Sequence, residues 1–186
     1  MDINKQLSTV NYLSVIAFNE NKTHILLVEK KTAPGQLQAN PGLDKTYWGL
    51  PGGLVEEEET IEATAQRKLS QETGLDLIEV KDEPYKTSKY VRHLDSLRET
   101  SVVICEVEGG KKPLPNDPNR QILNADWVER TEAMQRLEKN PYTDYVEPFA
   151  HFMLHGKIVQ KWMYEKKTRD SMPERIAPVY TPQFFG

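Results

Sequence analysis

A single cysteine in 186 residues, Cys105 in the apolar run Ser101–Val107, excludes a disulfide framework and reads as a buried, inert thiol. No apolar stretch approaches membrane-spanning length, so no membrane partner is expected. No N-terminal segment resembles a secretion signal, and a cytoplasmic location follows as the expectation. A basic excess is missing as well. Lys and Arg number 24 against 28 Asp and Glu, a net charge of −4 that argues against wrapping duplex nucleic acid. A single nucleotide needs only a local basic patch, so it is not excluded. Neither internal repeats nor low-complexity blocks interrupt the chain.

What is present is an ordinary mixture, 38% hydrophobic and 28% charged, enough for one domain with a single substantial core. Tyr12–Phe18 and His24–Glu29 are apolar, β-branched runs around the polar turn Asn19–Lys22, a hairpin pattern. Thr32–Lys45, with two Pro and two Gly, reads as a long loop, and Tyr47–Leu50 as a short strand. In Thr60–Thr73, Ile61, Ala65 and Leu69 recur on one helical face, Thr60 can cap the start and Gly74 can supply a left-handed stop. Leu75–Val80, Ser101–Glu108 and Ala125–Val128 read as strands, the last with Trp127 inward, and Gly109–Arg120 as a turn-rich loop. Glu132–Lys139 is expected to be a helix, and Asp144–Lys167 a further helical stretch before a Pro-rich tail. This order implies a layered α+β domain with a mixed sheet.

The most informative segment is Gly53–Leu75, GLVEEEETIEATAQRKLSQETGL, which follows Trp48-Gly-Leu-Pro-Gly-Gly53. Gly53, Glu59, Arg67, Leu69, Glu72, Gly74 and Leu75 fall in register with the Nudix box, and over Asn11–Lys139 the chain resembles the Nudix hydrolases of the MutT-like type. The resemblance implies an α/β/α sandwich with a mixed sheet. It also divides the chain into a Nudix domain over 1–140 and an extension over 141–186 packed on the same domain.

Nudix chemistry is attack of water on a pyrophosphate, helped by divalent cations that neutralise charge accumulating on oxygen. Mg²⁺ prefers oxygen ligands, so carboxylates clustered on a helix suit it. Positions 68, 71 and 72 share one edge of the helix, and in the family all three are Glu. Here they are Lys68, Gln71 and Glu72, summing to zero charge. An ammonium ~4 Å from a dication costs several kcal/mol even at an effective dielectric of about 20. Lys68 is expected to pair with Glu72 one turn away. A late-loop position that is often acidic in the family carries Gln121, leaving Asp126 before Trp127. The resemblance therefore implies Glu59, Arg67 and Glu72 as catalytic candidates. Glu72, Glu59, Asp126 and a backbone carbonyl at Gly52 or Gly53 are the candidate ligands of a weakly held Mg²⁺ or Mn²⁺.

Tyr85–Arg98 interleaves aromatic and basic residues, and Tyr90, Arg92 and Arg98 are candidates to stack on a base and hold phosphate. A solvent-exposed connector would look the same. His151 and His155 share a helical spacing but have no third ligand, which makes them a surface feature. Two functions stay open: hydrolysis of a nucleoside diphosphate linked to another moiety, and a non-hydrolysing nucleotide-binding or regulatory module. The partner in either case is a small nucleotide, and a homodimer is compatible with both.

Overall fold

A computed structural model describes residues 8–81, 83–91 and 96–140. Its elements are β1 (Ser8–Ala17), β2 (His24–Lys31), α1 (Pro34–Ala39), β3 (Thr46–Gly49), β4 (Gly52–Leu54), α2 (Ile61–Thr73), β5 (Leu77–Val80), β6 (Tyr85–Val91), β7 (Ser96–Val107), β8 (Ile122–Glu129) and α3 (Arg130–Glu138). The expected helix over Asp144–Lys167, the pair His151 and His155, and the proposed extension over 141–186 lie outside the described residues.

The first two strands form where expected, but they do not make a hairpin. β1 sits between β4 and β7 in a five-stranded sheet, while β2 sits between β3 and β8 in a three-stranded one. A strand has two hydrogen-bonding edges, and both edges of each are taken by other partners. β1 runs parallel to β7 from Ser8 opposite Ser96 to Ala17 opposite Cys105, and antiparallel to β4. Among the described residues, the bridge that remains between the two sheets is Phe18–Ile25. The loop expected over Thr32–Lys45 contains α1, a single short helix with Pro34 in its first turn, where a missing N–H costs nothing.

Two-residue alternation sends the strands' side chains to opposite faces. Leu13, Val15, Ala17, Leu26, Val103 and Cys105 pack with Ala65 and Leu69 of α2, and Trp127 joins them as expected. Ile16, Ile25, Leu27, Val102, Ile104 and Val128 pack with Ala133 and Leu137 of α3. Helices therefore cover both faces, the α+β sandwich that the sequence implied. Burial pushes the Cys105 thiol up to about 12, which keeps it protonated and unreactive at neutral pH.

α2 begins and ends on local chemistry. The Thr60 hydroxyl accepts the Ala63 amide at 3.2 Å, and Gly74 closes the helix in the left-handed region at φ 66°. The free carbonyls of its last turn are taken by the loop between β7 and β8, with Leu114 N donating to Thr73 O and Asn116 N to Gln71 O. Gly52 is under tighter constraint. At φ 148°, an added Cβ would lie 2.1 Å from the Leu13 carbonyl oxygen. Gly52→Ala is expected to cost about 3 kcal/mol or more, and Thr60→Ala about 1 kcal/mol, read from urea midpoints at unchanged slope. A Gly52→Ala variant within about 0.5 kcal/mol of the parent would contradict this backbone geometry.

Candidate functional site

Glu59 and Arg67 fasten the box loop to α2. Arg67 Nε donates to Glu59 Oε1 at 2.8 Å and Nη2 to Oε2 at 2.6 Å, a two-pronged pair; Nη2 also reaches the Leu54 carbonyl at 3.1 Å. Glu59 Oε2 also accepts from Thr64 Oγ1 at 2.7 Å and from the Glu56 amide at 3.2 Å. The Arg67 guanidinium, chiefly, holds the Glu59 carboxyl down to about 2, against a smaller opposing effect of burial. Both Glu59 oxygens are therefore already committed.

Glu72 is buried, and its partner is not Lys68. Lys30 Nζ lies 2.9 Å from Glu72 Oε2 and donates to the Gly52 carbonyl at 3.2 Å, while the Gly52 amide donates to the same carboxylate oxygen at 3.1 Å. The expected Lys68–Glu72 pair is thus replaced by a long-range one. Lys30 is on β2 four residues beyond Leu26, which packs against α2, so strand alternation carries it to the α2 side.

Lys68 instead lies over Gly53, where a Cβ would come within 2.8 Å of its Cε and 2.9 Å of its Nζ. Lys68 makes no hydrogen bond or ion pair among the described residues. Burial lowers its pKa, opposed by Glu72 and reinforced by Arg67 and Lys30.

The other candidates sit apart. Asp126 is exposed, pairs in register with Leu27, and accepts the Trp127 amide at 2.9 Å. Leu27 faces the α3 side and Trp127 the α2 side, so alternation turns Asp126 away from Glu72. Gln121 donates its side-chain amide to the Asn119 carbonyl. Tyr90 is exposed on β6, and the Arg98 guanidinium lies 3.8 Å from the Tyr12 ring centroid. Tyr90 and Arg98 therefore sit on paired strands, β6 and β7, rather than on a loop. Arg92 lies outside the described residues.

Two residues escaped the sequence analysis, Lys30 and Asp117. Burial would raise the Asp117 carboxyl, but the amides of Ile122, Asn119 and Gln121, with some help from Lys68, hold it below its ordinary value. The Asp-Pro-Asn turn 117–119 was the available signal for a carboxylate that caps backbone amides.

A divalent cation fits this donor set poorly. The convergent oxygens, Glu72 Oε2 and Gly52 O, both face the Lys30 ammonium, and Glu59 is bound to Arg67. It is the Gly52 carbonyl, not that of Gly53, that faces a cation. Among the described residues no three His, Cys, Asp or Glu are placed to hold a metal together. A dication ~4 Å from either ammonium would be repelled by about 8 kcal/mol at an effective dielectric near 20. A hollow of about 520 Å³ lined by Asn19, Lys22, Ile78, Val107, Gly110 and Trp127 contains none of the box residues.

Comparison with known proteins agrees with the architecture. The NUDIX domain family model matches residues 10–148. Over 77 residues, the chain is 32% identical to the ADPR responsive transcriptional repressor NtrR of Acinetobacter baylyi, covering 40% of this chain and 27% of that protein. It is 28% identical over 159 residues to Putative nudix hydrolase 1 of Caenorhabditis elegans, covering 80% of this chain and 38% of that one. The chain thus spans well under half the length of these two relatives. Among solved structures, the NUDIX domain of Shewanella oneidensis NrtR complexed with ADP ribose superposes with a TM-score of 0.57 at 16% identity, covering 81% of this chain and 88% of that one.

The Glu59–Arg67 pair has a measurable acid signature. The carboxyl titrates lower in the fold than its ordinary 4.5, so the pair's contribution to stability is complete above about pH 4.5 and is lost as pH falls toward 2. The urea midpoint should fall over this window, and Glu59→Gln should flatten the fall. An unchanged acid limb in the variant would show that the pair is not formed.

Proposed function

Because the chain belongs to the Nudix family, we propose that its cleft binds a nucleoside diphosphate linked to another moiety, without turning it over at an enzyme's ordinary rate. One observation carries this reading: the carboxylate best placed to hold a metal, Glu72, is ion-paired to Lys30. Pyrophosphate hydrolysis in this family depends on divalent cations, which supply the activated water and neutralise the developing charge. Among the described residues around Glu72, none replaces the first of those contributions. An ammonium attracts phosphate but does not generate hydroxide.

ADP-ribose is the natural first ligand to try, since it is bound by the structural relative just described. Tyr90, Arg92 and Arg98 are assigned the base end of the ligand in this reading, supported by the exposed Tyr90 ring and its basic neighbours. The buried, reduced Cys105 is consistent with a cytoplasmic setting. No helix among the described residues is long and apolar enough to cross a membrane.

A second reading, that of a metal-dependent hydrolase, draws support from the same place. Glu72 and the Gly52 carbonyl already converge on one cation, and withdrawal of Lys30 would expose both. Phosphate release from ADP-ribose and related nucleotides, with Mg²⁺ and with Mn²⁺, separates the two. The first reading expects saturable binding with turnover below about 0.01 per second. Turnover of ~1 per second or faster would establish the hydrolase.

A further inference from the structure

We propose that the Lys30 ammonium is a resident cation that takes the place of the divalent ion, and that with Lys68 it lets this cleft hold a diphosphate in the absence of metal. The inference rests on the reading of the cleft as a nucleotide diphosphate site and adds the groups that recognise the phosphates. Lys30 Nζ engages one carboxylate oxygen of Glu72 and the carbonyl of Gly52. An ammonium has three N–H donors, so one is left without a protein acceptor among the described residues. Among the described residues Lys68 donates to none, so its three N–H groups have no acceptor there.

The two ammonium groups flank the adjacent glycines, Lys30 on the Gly52 carbonyl and Lys68 against the Cα of Gly53. Because Gly53 has no side chain, the end of Lys68 occupies the space that a Cβ there would take. Glu72 at −1 and the two lysines at +1 each leave these three side chains with a sum of +1, the sign that suits a diphosphate. In the family pattern position 68 is acidic, and the phosphate would arrive with its metal. Here the positive charge is covalently part of the protein.

Calorimetric titration with ADP-ribose, in EDTA and in excess Mg²⁺, tests this, alongside titration with Mn²⁺ alone. Wild-type affinity for ADP-ribose should be the same within about twofold in the two buffers. Lys68→Met should weaken it at least about tenfold in EDTA. Lys30→Met should also weaken it in EDTA and should bind Mn²⁺ alone at least about tenfold tighter than wild type, because Glu72 and the Gly52 carbonyl become free.

Wild-type binding that appears only with Mg²⁺ would overturn the inference while leaving the nucleotide-binding reading intact. No ADP-ribose binding in either buffer would overturn that reading, and the Mn²⁺ titrations would then decide the role of Lys30 alone. Equal Mn²⁺ affinity in wild type and Lys30→Met would remove Lys30 from that role. Should Lys30→Met fail to fold by circular dichroism, the wild-type buffer comparison and Lys68→Met decide the outcome.

Discussion

The ion pair between Lys30 and Glu72 joins parts of the molecule that the backbone ladders leave nearly separate. Lys30 is the last residue but one of the central strand of the three-stranded sheet, Glu72 lies near the end of α2, and Gly52 begins β4 of the five-stranded sheet. Among the described residues, strand pairing contributes only the Phe18–Ile25 bridge between the two sheets. The side chains are 17% and 9% exposed, so both charges are largely out of water. Removing one partner of such a pair typically costs about 3–5 kcal/mol, because the other is left buried and uncompensated. The Gly52 amide and carbonyl complete the arrangement by serving the anion and the cation in turn.

That pair also divides the box into two sets of residues. Gly53, Arg67, Glu59, Leu69 and Gly74 do structural work: a close approach, a two-pronged ion pair, core packing and a helix stop. None of it depends on a metal. Lys68, Gln71 and Glu72 are where a metal-dependent member of the family would place its charge, and there the sum is zero before Lys30 is added. Fold and chemistry are separable in this motif, and a family assignment carries the first more firmly than the second.

Local features of the chain were readable without coordinates because their physics is local. Thr60 and Gly74 mark the ends of α2, and the spacing of Ala65 and Leu69 marks its buried face. Strand pairing was not readable in this way. Tyr12–Phe18 and His24–Glu29 look like a hairpin because a polar turn separates them, but partners far along the chain claim both edges of each strand. Lys30 was missed because it is 42 residues from Glu72 and looks, in sequence, like the exposed end of a strand. Lys68, four residues before Glu72 on the same helix, was the obvious partner by local rules, and tertiary structure supplied a different one.

A double-mutant cycle on Lys30→Met and Glu72→Gln, read by urea denaturation, addresses the central interaction directly. The pair as described requires a coupling of about 2 kcal/mol or more, with the double variant more stable than the sum of the single losses implies. Single losses that add to within about 0.5 kcal/mol would mean that the two side chains do not meet, and the metal-free cleft built on them would go with that contact.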